Sequence, residues 1–334
     1  MPRKPRAKST EPSNSRLLEA VRFCSMAISD KGPINETHIY LGAHWAAASN
    51  GVITIACPIT EDIQACPQAK LMQEALSKCG ESFALTQLET QLSIKSGKFS
   101  AKIPCIDPTL LTLPSPDEPI ADINDNFRLG LEKIGVLVNE NAQSIIAASI
   151  LLNGRSLVSS DTAVMFEFWH GIDLPSGLSL PKAIINPIVK AGKKLSKFGF
   201  SQSSLTFYYE DQSWIKCQLF VEKWPDVGTI LDRPSNQMPW PKDFWEGFAA
   251  VAPFSETGAV YFDAGSLRSH SETGVGAAFD VPGLPKGPSY SIRALGLLKG
   301  LAETYDPFTP GNFGSAMLTF QGPNIRGAIA GRSQ

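Results

Sequence analysis

One order of elements recurs three times along the 334-residue chain: an amphipathic helix, a strand-rich stretch, a second helix and a closing hairpin. The period is about 110 residues, far longer than a solenoid repeat and close to a usual domain size, so it predicts tandem copies of one α+β domain. Apolar side chains at helical spacing mark the first helix of each third. They are Leu17, Val21, Cys24 and Ile28, then Phe127, Leu131, Ile134 and Val138, then Phe244, Phe248 and Val251. Ser15, Asp125 or Asn126, and Pro241 stand at the expected helix starts.

Strand-rich stretches follow over residues 38–58, 144–168 and 259–281, the first two with Asn50-Gly51 and Asn153-Gly154 as hairpin signals. Second helices are predicted over 67–79, 181–194 and 291–303, and closing hairpins over 92–103, 205–221 and 316–329. Pro187 conflicts with a continuous helix, where it would cost about 3 kcal/mol. Asn186 is therefore expected to cap a short helix with Pro187 in its first turn. Proline-rich segments at 107–119 and 231–241 read as extended connectors. They divide the chain into a basic tail, 1–15, and three domains over 16–115, 116–235 and 236–334.

Composition narrows the function. With 43% hydrophobic and 19% charged residues the chain is not wholly disordered. It holds no run of about 18 apolar residues and no secretory signal pattern, so a cytoplasmic protein without a membrane partner is expected. The six cysteines form no CxxC and read as reduced thiols. Neither GxxxxGK[ST] nor GxSxG occurs, and Gly274-Val275-Gly276 lacks the third glycine of a dinucleotide loop. His38, His44, His170 and His270 have no carboxylate or cysteine constellation around them. No enzyme activity, cofactor or metal is expected.

The ordered set of motifs resembles the bacterial DNA polymerase sliding clamps (the beta clamp family). The match is best in the middle third, in Leu151-Leu152-Asn153-Gly154, Ser159-Ser160-Asp161, Leu180-Pro181-Lys182-Ala183 and the stretch from Phe207 to Trp224-Pro225-Asp226. The outer thirds are more loosely similar. The resemblance implies three clamp domains per chain, with helices lining a ring and antiparallel sheets outside. It also implies a head-to-tail homodimer that encircles double-stranded DNA without reading its sequence, and partners among DNA polymerase and a clamp loader. Where the family usually has Ala-Thr-Asp-Gly-His-Arg-Leu, this chain has Ser159-Ser160-Asp161-Thr162-Ala163-Val164-Met165. That stretch helps to form the family's pocket for partner peptides. The resemblance therefore implies a pocket at Thr162, Ala163, Val164 and Met165 with Leu231 and Ile329. The departure suits a divergent or phage-encoded member.

For such a protein the expected signature is electrostatic, because phosphate contacts dominate nonspecific DNA binding. Between Asp173 and Glu210 there is no acidic residue, and Lys182, Lys190, Lys193, Lys194 and Lys197 recur at nearly helical spacing. A continuous helix would present them on one face. Arg22, Lys70, Lys78, Arg128, Lys133, Arg293 and Lys299 complete the DNA-facing set, and Arg3, Lys4, Arg6 and Lys8 make the tail basic. The six helix windows, edged here at 16–28, 67–79, 126–138, 181–194, 241–252 and 291–303, hold 13 Lys and Arg against 6 Asp and Glu, although the whole chain carries only -2. Basic helices on an acidic body are what a ring around DNA requires. The competing reading is a clamp-fold interaction or inhibitory module that binds replication proteins without encircling DNA.

Overall fold

The computed structural model describes residues 14–220, 223–271, 275–311 and 316–332. They form two compact units. One comprises the chain up to Arg128 with Ala183–Leu219, the other Leu129–Lys182 with the chain from Phe220 onward. The basic tail, including Arg3, Lys4, Arg6 and Lys8, lies outside the described residues.

In the first unit a seven-stranded antiparallel sheet runs in the order Tyr40–Gly42, Trp45–Ser49, Ile53–Pro58, Trp214–Gln218, Ser204–Tyr209, Leu195–Phe200 and Pro119–Asp122. Strand Ile53–Pro58, from the first third of the sequence, pairs there with Trp214–Gln218, from the second, in the register Ile55 to Ile215. Helices Asn14–Cys24 and Ala69–Ser77 pack on each other, and the first also lies on Ile53–Pro58. Leu17, Val21 and Cys24 are fully buried, as their spacing predicts. A separate three-stranded sheet has the order Ala84–Gln87, Gln91–Ser96, Phe99–Pro104.

The segment read as a connector at 107–119 is anchored to this unit. Asp117 is buried, and its carboxylate accepts hydrogen bonds from Ser204 Oγ (2.9 Å), Thr206 Oγ1 (2.9 Å) and Lys216 Nζ (2.9 Å). Tyr208 donates its hydroxyl to the Asp117 carbonyl, and Asp117 N–H donates to Thr206 Oγ1. Burial pushes the Asp117 carboxyl up, but Lys216 and the two hydroxyls outweigh it and hold the group below the usual carboxylate range.

The second unit repeats the plan. Its eight-stranded sheet has the order Ser176–Pro181, Ser149–Asn153, Ser156–Ser160, Val164–Trp169, Ile325–Ala330, Ala316–Gly322, Thr304–Pro310 and Met238–Pro239. Again one strand from each of two neighbouring thirds meets at the middle, with Phe166 opposite Gly327. A four-stranded sheet, Ala278–Asp280, Ser266–Arg268, Ala259–Asp263 and Ser289–Ser291, stands apart from it. Trp240, from the second proline-rich segment, stacks on Tyr305 at 4.0 Å between ring centroids.

All six predicted helices are present, and the first helix of each third ends in a 3₁₀ turn: Ser25–Ala27, Gly135–Leu137 and Ala252–Phe254. Their starts differ from expectation. The first begins at Asn14, ahead of Ser15. The second is capped by Asn124, whose Oδ1 accepts the Asn126 N–H at 3.0 Å. A sequence signal passed over is the large–small pair Phe127/Gly130 repeated as Phe244/Gly247. A Cβ on Gly130 would lie 2.7 Å from Phe168, and one on Gly247 2.8 Å from Phe279, so glycine permits the close approach of helix to strand.

Candidate functional site

The lysine stripe does not form one helical face. The helix is Lys182–Lys190 and passes straight through Pro187, with Asn186 inside it rather than capping it. Burial of Ile184, Ile185, Pro187 and Ile188 offsets the lost backbone bond. Gly192, at φ 63°, then turns the chain into strand Leu195–Phe200, which carries Lys197. Lys190, Lys194 and Lys197 are exposed, but the first ends the helix, the second is in the connection and the third is on the strand.

Lys193 is engaged more deeply. Its ammonium donates to Asp211 Oδ2 (2.6 Å), Ser213 Oγ (3.1 Å) and Cys57 Sγ (3.4 Å), which uses its three donors, and it sits 4.2 Å from the Phe23 ring centroid. Such a lysine holds the fold together and has no donor to spare for a phosphate. Lys182 Nζ donates to Val138 O (2.5 Å), and Lys194 pairs with Glu210 at 2.6 Å. Arg128 pairs loosely with Asp125 (3.8 Å), and Lys133 lies 5.8 Å from the Phe168 ring. Arg22, Lys70, Lys78 and Lys299 are exposed.

The six residues expected to form a pocket are brought into one region of the second unit. Strands Ser156–Ser160 and Val164–Trp169 are joined by a turn that Asp161 organises. Its Oδ1 accepts the N–H groups of Ala163 (3.1 Å) and Val164 (2.8 Å), while Thr162 takes φ 76°. Ser160 Oγ donates to Val164 O at 2.9 Å. Arg293 of the DNA-facing set holds the other side of the turn, donating to Asp161 Oδ2 at 3.1 Å.

Thr162, Ala163, Val164 and Met165 line a groove of about 220 Å³, together with Ser160, Ile230, Arg233, Gly311, Met317, Ala328 and Ala330. Ile329 and Leu231 do not line it. Along strand Ile325–Ala330 successive side chains alternate, so Ala328 and Ala330 face the groove and Ile329 is buried on the other side. Leu231 lies beneath, in an apolar cluster with Leu151, Val158 and Met165, against which Trp224, Val227 and Ile230 pack. The short helix Gly228–Leu231, unexpected from sequence, turns Ile230 toward the groove. The groove is mostly apolar, with one guanidinium at its rim: Arg233 is held by the carbonyls of Thr229 and Pro310. An arrangement of this kind suits the apolar side chains of an extended ligand.

No protein-family model matches the chain. No curated protein matches its sequence either. Solved structures do match. A Caulobacter crescentus beta sliding clamp superposes with a TM-score of 0.81 at 13% identity, over 97% of this chain and 98% of that one. The beta subunit of DNA polymerase from Streptococcus pyogenes gives 0.79 at 16%, over 97% and 99%. The Helicobacter pylori beta clamp bound to a DNA ligase peptide gives 0.76 at 16%, again over 97% and 99%. The chain therefore has the three-domain α+β fold of the bacterial sliding clamps, at a sequence distance that marks it as divergent. No helix among the described residues is long and apolar enough to cross a membrane.

Proposed function

We propose that this chain is a DNA sliding clamp: two copies close head to tail around duplex DNA and tether a DNA polymerase, with no bond chemistry of their own. The observation that carries the reading is a repeated seam with one copy missing. In each large sheet, the third strand after the first helix of one third pairs with the final strand of its neighbour: Ile53–Pro58 with Trp214–Gln218, and Val164–Trp169 with Ile325–Ala330. The two corresponding strands left over, Ala278–Asp280 and Phe99–Pro104, are both sheet edges. Pairing them between copies supplies the third kind of seam, and a heterologous contact of this type closes into a ring when the rotation fits. Exposed Lys102 on one edge and Asp280 on the other are of complementary charge.

On this reading the domains run over 16–115, 116–235 and 236–334, and each seam joins neighbours. Helix-borne Arg22, Lys70, Arg128, Lys133, Lys190 and Arg293 are the residues we assign to the DNA side, with Lys78 and Lys299 just beyond the ends of their helices. Lys182, held by the Val138 carbonyl, Lys193, Lys194, paired with Glu210, and the strand-borne Lys197 leave the set. The reading also makes the chain a cytoplasmic protein served by a clamp loader. Loaded on nicked circular DNA, it is expected to remain bound in high salt and to be released when the circle is cut. Retention on the linear product, or failure to load combined with a monomeric mass by light scattering, overturns encirclement and favours an interaction module.

The apolar groove is proposed as the docking point for partner peptides of the sort held by the Helicobacter pylori clamp. Ile230→Asp places a carboxylate against its apolar wall, and is expected to weaken a labelled DNA ligase peptide by about 2 kcal/mol, roughly thirtyfold in Kd. Fluorescence anisotropy measures this, with the oligomer unchanged in size. An unaltered Kd would remove the groove from the binding surface.

A further inference from the structure

A second recess, in the first unit, lies between residues 60–63 and the strand Ala84–Gln87. It measures about 330 Å³. Leu85 and Gln87 of the strand alternate onto the recess, Phe83 just before the strand joins them, and Ile63 adds apolar surface. Two adjacent carboxylates, Glu61 and Asp62, line the same recess beside Thr60 and Gln87. Glu61 is 8% exposed; its Oε2 accepts the Thr60 N–H at 3.1 Å, and its buried Oε1 meets no donor among the described residues.

A carboxylate oxygen withdrawn from water without a donor is costly, and a second carboxylate beside it adds repulsion. Among the described residues no lysine or arginine lines the recess. Three apolar side chains, Ile63, Phe83 and Leu85, beside paired carboxylates suit a long aliphatic stem with a cationic head. A bare metal ion is a poorer match, because no group of three or more His, Cys, Asp or Glu side chains able to hold one occurs among the described residues. Strand Ala84–Gln87 is also the outer strand of its sheet, on the side away from the Phe99–Pro104 edge invoked for ring closure. Its outer edge is thus open to an extended segment.

We propose that this recess is a docking site for an extended segment of a partner protein, which inserts one arginine or lysine side chain between Ile63 and Leu85 to reach Glu61 and Asp62. The site stands apart from the apolar groove and does not depend on the clamp reading. The test uses the full chain and the labelled peptide acetyl-Thr-Val-Arg-Val-Thr-amide, with Gln in place of Arg as the control, in fluorescence anisotropy at low salt. The Arg peptide is expected to bind, the Gln peptide to bind at least about tenfold more weakly, and both Glu61→Gln and Asp62→Asn to reduce Arg-peptide affinity about tenfold. Thermal melts establish that both variants are folded, and Asp62→Asn serves alone if Glu61→Gln is not. Equal binding of the two peptides, no binding of either, or full affinity in a folded Asp62→Asn chain overturns the proposal. So does calcium binding by calorimetry that Asp62→Asn abolishes while Arg-peptide binding is absent, which assigns the carboxylates to a metal instead.

Discussion

Gly327→Val is expected to destabilise the second unit by about 3 kcal/mol, read as a lower urea midpoint with an unchanged slope. Gly327 lies at the seam, opposite Phe166. A Cβ there would stand 2.2 Å from the Met165 carbonyl oxygen and 2.6 Å from the Phe320 ring. The first of these is backbone, so the strand pair itself must part to make room. Phe320 packs edge-on against Phe166 at 5.2 Å between centroids, which leaves the ring little freedom to retreat. Because Met165 and Ala328 also line the apolar groove, the same variant is expected to lose ligand binding there before it unfolds. A change in stability below about 0.5 kcal/mol would show that the seam is loosely packed.

Asp117→Ala is expected to cost about 3 kcal/mol or more, because it strands the Lys216 ammonium in a site where its side chain is only 15% exposed. Ser204 and Thr206 lose their acceptor at the same time. The effect depends on pH with a definite sign. A carboxyl held below its unfolded value near about 3.9 contributes its full stabilisation above that value and loses it as pH falls through the lower folded value. The stability difference between wild type and Asp117→Ala should therefore be flat from neutral pH to about 5 and shrink below about 4. Asp211, whose burial raises it but whose Lys193 and Ser213 partners bring it below the usual range, adds a slope of the same sign in both proteins. Urea titrations across pH 3–7 separate the two contributions, and a difference independent of pH would show that the pair is not ionic.

The helix pattern was legible because burial on one face leaves a period in the sequence. Leu17, Val21 and Cys24, or Phe127, Leu131 and Ile134, are buried as their spacing demands. The Asn153-Gly154 hairpin signal was equally local: strands Ser149–Asn153 and Ser156–Ser160 pair around it, with Gly154 at φ 62°. Pro187 was misread because propensity counts the lost bond and omits the apolar surface that its neighbours bury. Of the six residues expected at a pocket, Ile329 and Leu231 do not line the groove, for strand alternation selects Ala328 and Ala330 only after the register with Val164 is known, and Leu231 lies in the cluster beneath.

The lysines illustrate the same boundary. Sequence counts charge but not its geometry, and an acid-free stretch looked like one basic face until Gly192 turned the chain and Asp211, Ser213 and Cys57 enclosed Lys193. Asp117 reads as a linker residue and is a buried anchor, because its partners lie about ninety residues away in sequence.

By itself the sequence determined the thrice-repeated order of helices and strands and the apolar face of each helix, all properties set within a few residues by periodicity and turn chemistry. Tertiary structure alone decided which strands meet at the two seams, which cations remain exposed, and where the apolar groove and the acidic recess open. Those depend on register and on pairs far apart in the chain, for which no local pattern exists.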